Sequence, residues 1–491
     1  MNKSSNTVQA VWIGLSSLSR MLFAVVSAAI LSRLLTKAEY GTYKQVMYVY
    51  TTLLGIFSLG LPKAYSYFLP RVNVAEGRSL VNKINKIFFL LGGLFSILLF
   101  LGAHYIAILL KNPNLETALK LFSPCPLFLL PTLGIEGVMA TFRLSIYNAV
   151  YVVITKIFIL LAVSLPVIFY KSTCDVAIFG FTLASIVSCL IALYLKNIPF
   201  RGITSVITSV KIKDIFYFSI PLMIASIWGI IENAADQFFV SRYFGQEAFA
   251  EFANGSMELP FVTMVLSASS TVLLPLFSKM VSDGCSKIEI LNLWNRTAIK
   301  SACIIYPLAI YCWIFSELLM TFLYGDSFSN SSIFFKIMMI VNFLSFSNYF
   351  PILLALDKSK IYAHAHIIAS IGVWTLDILL ISIGLSAVWI TVSSVIWRIF
   401  KVFFMLYFIS KCLNTKVIKL YPIGMLVKLL VSCSICGLVA YCIVEQALQF
   451  DVKIIKLAIS SIIYFILIMI LGRMIGINYF ALVAPLIKKR Q

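Results

Sequence analysis

The sequence predicts an all-α polytopic membrane protein of about fourteen transmembrane helices, built as two six-helix lobes plus two appended C-terminal helices. Apolar stretches long enough to cross a bilayer fill nearly the whole of the 491-residue chain. An apolar helix of about 20 residues spans the roughly 30 Å hydrocarbon core, where only helices and closed barrels satisfy their backbone groups. The composition agrees, because 61% of the residues are hydrophobic and 12% are charged, against about a quarter charged in soluble domains.

The predicted spans are separated by short polar segments. They cover residues 8 to 31, 42 to 69, 87 to 110, 121 to 141, 146 to 169, 176 to 195, 215 to 241, 251 to 277, 301 to 322, 333 to 356, 361 to 383, 385 to 409, 422 to 444 and 457 to 475. Arg20 interrupts the first apolar run and no convincing small-residue cleavage site follows it, so we interpret this run as a retained helix. Between the eighth and ninth spans, Ile288, Leu291 and Trp294 share one face, which predicts an amphipathic helix lying on the membrane surface.

The net charge of +20 indicates orientation in the membrane. With the N-terminus inside, 22 Lys and Arg residues fall in inside segments, including Lys3 and the tail residues Lys488, Lys489 and Arg490, and 8 fall in outside segments. Segments on the cytoplasmic side carry such an excess of positive charge. Both termini are therefore expected in the cytoplasm.

The two lobes are predicted from an internal repeat. Ser32-Arg33 recurs as Ser241-Arg242, 209 residues later, and Ile146-Tyr147 recurs as Ile361-Tyr362, 215 residues later. A nearly constant offset indicates that helices one to six repeat as helices seven to twelve. We therefore expect an N-terminal lobe over residues 1–213, a C-terminal lobe over 214–410, and helices thirteen and fourteen with a cytoplasmic tail over 411–491.

Two motifs carry a family resemblance. Leu31-Ser32-Arg33-Leu34-Leu35 followed by Glu39-Tyr40-Gly41-Thr42-Tyr43 resembles the signature after the first helix of the polysaccharide transporters, which belong to the multidrug/oligosaccharidyl-lipid/polysaccharide exporter superfamily. Phe218-Ser219-Ile220-Pro221-Leu222, with Asp236-Gln237-Phe238-Phe239, is similar to the opening of that family's second half. The resemblance extends in layout from about residue 8 to 410.

The resemblance implies a flippase of the O-unit (Wzx) type in a bacterial inner membrane. Its substrate would be an undecaprenyl-pyrophosphate-linked oligosaccharide, such as an O-antigen repeat unit of lipopolysaccharide or of another surface polysaccharide. Translocation to the periplasmic leaflet would use alternating access, with Na+ or H+ as the coupling ion and no other cofactor. A polysaccharide polymerase or ligase would be a further partner.

A phosphate-bearing substrate needs cationic partners in a site of low dielectric constant. Arg20, Lys156 and Arg398 lie near the middle of the first, fifth and twelfth predicted helices, too deep to reach a head group easily. We expect these three to bind the anion; the alternative is a structural ion pair with an acid such as Glu136. Lys63 lies closer to a helix end, where an interfacial position is expected.

Acidic residues predict a second site. Glu232 and Asp236 are four residues apart, which places both on one face of the seventh helix. Sodium-coupled members of the superfamily hold a cation among the seventh, eleventh and twelfth helices, and the resemblance carries this site over to Asp236, Asp377 and Thr391. Val373 stands one turn before Asp377, where those members have Asn. A proton in place of sodium, or no ion, therefore remains an alternative.

Two other functions compete with the flippase. A drug/cation antiporter of the same superfamily would favour an acid-lined cavity, whereas this chain has mid-span cations. An integral-membrane glycosyltransferase or polymerase usually has a large periplasmic loop, and the outside loops here are short. The sequence holds no P-loop, and its three histidines have no metal-ligand spacing with any acid. No enzymatic activity is expected.

Overall fold

The computed structural model describes residues 6–447, 452–474 and 479, and it is built from helices with no strand in these residues. Thirteen helical segments of this described part are long and apolar enough to cross a membrane. The predicted span 333–356 is formed by two shorter helices. The chain is therefore an all-α, multi-pass membrane protein of about fourteen spans, as predicted. Lys3 and the tail residues Lys488, Lys489 and Arg490 lie outside the described residues.

The helices follow the predicted spans in order. They are α1 Asn6–Leu34, α2 Lys37–Phe57, α3 Pro62–Phe68, α4 Val74–Leu109, α5 Asn114–Phe122, α6 Cys125–Leu129, α7 Ile135–Thr141, α8 Ser145–Phe169, α9 Cys174–Asn197, α10 Ile212–Gly255, α11 Pro260–Ser282, α12 Lys287–Ile314, α13 Ser316–Tyr324, α14 Ser331–Asn342, α15 Tyr349–Ala355, α16 Ser359–Ser382, α17 Ala387–Cys412, α18 Ile423–Ala447 and α19 Lys453–Met474. The second span is α2 with α3, the fourth joins α5, α6 and α7, and the tenth joins α14 and α15.

Two compact units divide the chain, Met1–Ala253 and Asn254–Gln491. In the first unit, α8 packs between α1 and α9, and α4 packs against α5 and α6. In the second unit, α17 packs against α14 and α16, while α12 packs against α18, which pairs with α19. The division into lobes at residues 213 and 410 stays a prediction.

The motif that follows α1, around Glu39 and Gly41, contacts α9 and α10 from the start of α2. Thr36 caps α2 by accepting a hydrogen bond from the backbone N–H of Glu39 at 3.3 Å. The carboxylate of Glu39 in turn accepts one from the backbone N–H of Cys174, where α9 begins, at 2.6 Å. Gly41 is required by close packing, because a Cβ there would lie 2.0 Å from the carbonyl oxygen of Gln246 in α10. The residues that carry the family resemblance therefore hold α2 against α9 and α10.

A buried polar network continues this contact. The side-chain amide of Gln45 donates to the hydroxyl of Ser241 at 2.7 Å and accepts from Asn112 at 2.6 Å. Asn112 also donates to Thr42 at 3.0 Å. Buried polar side chains hydrogen-bond to one another, and removing one of them leaves the others without a hydrogen-bond partner. The network therefore sets the register of α2 against α10.

Two details differ from the predicted spans. Helix α10 runs on to Gly255, with a break at Gly245, whose φ of 81° lies in the region that favours glycine. The eighth span then begins at Pro260, nine residues later than predicted.

The predicted surface helix between the eighth and ninth spans is wrong. Ser286 and Glu289 form a capping box that starts α12 at Lys287, and this helix continues to Ile314. Trp294 is fully buried and donates its indole N–H to the hydroxyl of Ser347 at 2.5 Å. Of the three residues of the amphipathic pattern, Trp294 is thus packed in the core of the unit, Leu291 is half-buried and Ile288 is exposed.

Candidate functional site: a cationic cavity in the first unit

The first unit contains a cavity of about 880 Å³. Its walls come from α1, α2, α3, the broken fourth span, α8 and α9, with Phe218 of α10. Arg20 and Lys156, two of the three predicted anion-binding residues, line this one cavity. The structure therefore brings together cations that are 136 residues apart in the sequence.

Arg20 forms an ion pair with Glu136. The guanidinium Nη2 lies 2.9 Å from Oε2 of the carboxylate, and the two side chains are 45% and 42% exposed. A pair so open to its surroundings contributes little to stability, since exposed ion pairs are worth about 0–1 kcal/mol. The pair that was considered as a structural alternative is thus present, but both groups remain accessible from the cavity.

Two lysines raise the positive charge of this cavity. Lys156 lies in the middle of α8, and Lys63 lies at the start of α3 with its side chain exposed. Lys63 was expected at the membrane interface, and the structure instead places it in the cavity wall. Among the described residues of the lining, Arg20 and these two lysines face a single carboxylate, that of Glu136, which leaves a net charge of +2.

Aromatic and uncharged polar side chains form the rest of the wall. The aromatic ones are Tyr50, Tyr67, Tyr151, Phe181 and Phe218, and the polar ones include Ser66, Thr132, Asn148, Thr155 and Ser188. The rings of Tyr67 and Phe218 are stacked with their centroids 4.0 Å apart. A surface of this kind suits a ligand that combines an anionic group with hydroxyls and apolar faces.

The fourth span breaks where it meets the cavity. Pro131 closes a short 3-10 turn and Gly134 follows with φ of 76° before α7 begins. A Cβ at Gly134 would lie 2.3 Å from the ring of Tyr65, so only glycine fits there. The break turns α7 so that Glu136, its second residue, reaches the cavity and Arg20.

Lys196 holds the broken segment in place. Its side chain is fully buried at the end of α9, and its ammonium donates to the carbonyl oxygens of Pro131 and Leu133 at 2.8 and 2.7 Å. Asn85 Oδ1 and the Tyr65 hydroxyl complete the shell at 3.1 and 3.2 Å. The residue pattern gives Lys196 no role beyond one of the 22 positive charges in inside segments. Its acceptors are backbone carbonyls freed by the helix break, which leave no signal in the residue pattern.

Arg398 lines a cavity of its own within the second unit. This cavity measures about 150 Å³ and lies among α11, α14 and α17. Glu258 and Asn342 share its wall. The third predicted anion-binding residue therefore lines a small, largely apolar cavity in the second unit.

The predicted cation-coupling residues are all buried. Glu232 and Asp236 lie on α10 and are 3% and 2% exposed, within the first unit. Asp377 on α16 and Thr391 on α17 are 0% exposed, within the second unit, where these two helices pack together. Among the residues that the structure describes, no group of three His, Cys, Asp or Glu side chains is placed to hold a metal ion. The cation site stays a prediction.

Comparisons with known proteins give a family and a fold. The family model of the polysaccharide biosynthesis proteins matches residues 8–281. No curated protein matches the chain. The lipid II flippase MurJ in its inward closed conformation is similar in structure, with a TM-score of 0.70 and 16% identity over 94% of this chain and 99% of that one.

Two MATE transporters are also similar in structure. The MATE transporter VcmN of Vibrio cholerae gives a TM-score of 0.58 and 15% identity, over 84% of this chain and 96% of that one. A multidrug resistance MATE transporter of the MOP superfamily, inward-facing, gives 0.63 and 11%, over 82% of this chain and 99% of that one. At such low identities the likeness shows the fold alone.

Proposed function

We propose that this chain, which belongs to the family of polysaccharide biosynthesis proteins, is a flippase for lipid-linked oligosaccharides. Its substrate would be an undecaprenyl-pyrophosphate-linked repeat unit of a surface polysaccharide, such as O-antigen. The chain would lie in the inner membrane of a bacterium with both termini in the cytoplasm, and it would carry the repeat unit to the periplasmic leaflet by alternating access.

The observation that carries this proposal is the cationic, aromatic-lined cavity of the first unit. A diphosphate is a compact anion with several strong acceptor oxygens, and an Arg fork binds it through two parallel hydrogen bonds. Lys63 and Lys156 add positive charge to the same wall, and the tyrosines offer rings and hydroxyls to sugars. The volume of about 880 Å³ is near the upper end of the ~300–1,000 Å³ typical of ligand sites.

A cation-extruding antiporter fits this cavity less well. A cationic drug would meet a lining with a net charge of +2 and be repelled by it. The fold is shared by both kinds of transporter, so the charge of the cavity discriminates between them.

Deleting the gene tests the proposal. We expect the deletion strain to lose the surface glycan and to accumulate the complete undecaprenyl-linked repeat unit on the inner leaflet, which mass spectrometry of the lipid extract and leaflet-specific labelling would detect. Export should return when the wild-type gene is supplied on a plasmid. A strain that exports normal glycan, or that accumulates an incomplete saccharide typical of a missing glycosyltransferase, would contradict the flippase.

Ion coupling gives a separate prediction. If Asp236 and Asp377 hold a monovalent cation, Asp236→Asn or Asp377→Asn should remove the dependence of translocation on sodium or on pH, because the carboxylate that binds the ion is gone. Substrate binding should persist. Translocation would be measured in membrane vesicles over a range of sodium concentrations and pH values, with Asp283→Asn, an exposed loop acid, as control. Translocation that ignores sodium, pH and both substitutions would contradict the coupling role.

A further inference from the structure

A second, smaller cavity adjoins the cationic cavity. It has a volume of about 210 Å³ and lies among α1, α2, α8 and α9 of the first unit. The two cavities share Lys156, Ile159 and Phe181 in their walls. The ammonium of Lys156 therefore stands at the junction between them.

The smaller cavity contains a further cation, Lys44 of α2. Its ammonium lies 5.2 Å from the ring centre of Tyr40, one helical turn away. The residues contributed by α1 are uncharged, and α8 and α9 contribute Lys156 and apolar side chains. Over the residues that the structure describes, this wall thus holds two ammonium groups and no carboxylate.

Both lysines are half-buried in this wall, and neither has an anionic partner among the described residues. In the described part of the chain, no carboxylate lies within ion-pair distance of Lys44 or Lys156, and neither ammonium donates a hydrogen bond. A charged side chain within a membrane span is costly when no opposite charge compensates it. Such groups in membrane spans mark paths of ions or substrates.

The cations of the first unit lie at successive depths. Lys63 is near the predicted cytoplasmic end of the second span, and Arg20 and Lys156 are in the middle of α1 and α8. Lys44 lies seven residues from the opposite end of α2, at Lys37, which is about 10 Å at 1.5 Å per residue. The series therefore leads from the inner side of the unit towards the outer side.

We propose that the cavity between Lys44 and Lys156 is a second anion site, which receives the diphosphate of the lipid-linked saccharide after it leaves Arg20. This inference rests on the proposed function and adds a step to it. Lys156 would contact the anion in both positions, because it lines both cavities. Lysines suit a transfer site, since an ammonium binds phosphate as a point charge without the fixed geometry of the Arg fork.

Neutralising Lys44 separates binding from transfer. Lys44→Gln should leave binding of farnesyl diphosphate to the purified full-length protein within about threefold of wild type, because the Arg20 site is intact. Glycan export in the deletion strain should fall by about tenfold or more at equal protein level, because a step after binding is impaired. Lys44→Arg should recover export by restoring the charge. Lys44→Met, which keeps the apolar stem, serves as a second neutral variant.

The matched control is Lys86→Gln, which neutralises an exposed lysine of α4 outside both cavities and should change neither quantity. Normal export by both neutral Lys44 variants would overturn the second site and leave the flippase standing. An equal loss of binding and export would show one site in place of two and overturn it as well. Failure of the wild type to bind farnesyl diphosphate would overturn the inference together with the proposed function.

Discussion

Arg20→Ala should abolish export of the surface glycan while the protein reaches its normal level in the membrane. Among the residues that the structure describes, Arg20 supplies the one guanidinium in the lining of the large cavity, where it is 45% exposed. Removing a charged group that hydrogen-bonds an anionic ligand costs at least about tenfold in affinity, and more where the site is dry. Export would be measured by silver-stained glycan gels of the complemented deletion strain, with immunoblots of the membrane fraction as the control for protein level.

Glu136, the ion-pair partner of Arg20, allows a test that separates substrate binding from charge neutralisation. An arginine that merely neutralised an acid could be lost together with that acid at little cost, because replacing an ion pair by neutral groups is often tolerated. We therefore expect Arg20→Ala with Glu136→Gln to remain inactive, and Arg20→Lys to recover part of the export by keeping the charge without the bidentate fork.

Arg398→Ala should also abolish export of the surface glycan at a normal protein level. Full export by both Ala variants, or rescue by Glu136→Gln, would exclude the cationic residues as the substrate site.

The second large effect is on stability, and it concerns Lys196→Met. Methionine fills a similar volume, but it leaves the carbonyl oxygens of Pro131 and Leu133 without their donor, while Asn85 keeps only the hydroxyl of Tyr65. Unpaired buried polar groups cost about 1–3 kcal/mol each, so we expect a destabilisation of about 2–4 kcal/mol after relaxation. Thermal unfolding of the purified protein in detergent, followed by tryptophan fluorescence, should show a clearly lower midpoint.

Lys120→Met is the matched control for this experiment. Lys120 is exposed on α5 of the same unit and pairs with Glu116 at 2.7 Å one turn away. Its loss should cost no more than about 0–1 kcal/mol. An unfolding midpoint of the Lys196 variant equal to that of the Lys120 variant would show that the four acceptor oxygens do not depend on the ammonium.

The spans and the family were predictable because the bilayer leaves few choices. Runs of about 20 apolar residues must be helices there, and the fourteen predicted stretches correspond to the helices of the structure. The family resemblance around Glu39 and Gly41 is confirmed by the match over residues 8–281. Both residues make contacts that depend on their identity, a helix cap and a close backbone approach.

The partners of the charged residues were less predictable. Mid-span depth singled out Arg20 and Lys156 in the sequence, and both residues line the large cavity of the first unit. The depth of a residue in its predicted span did not indicate that Lys63 lines this cavity or that Lys44 lines the smaller one, because both lysines lie nearer to helix ends. The predicted surface helix around Trp294 was wrong for a related reason: an amphipathic face has the same sequence pattern whether lipid or a protein core covers it.

The shell of oxygen atoms around Lys196 has a consequence for how the chain is made. Tyr65, Asn85, Pro131 and Leu133 all precede Lys196 in the sequence, so the ribosome has released every acceptor before the lysine emerges. Domains generally fold during synthesis from the N-terminus onward. Helix α9 thus brings the ammonium of Lys196 to acceptor oxygens that have all been synthesised before it. These hydrogen bonds involve no residue of the second unit.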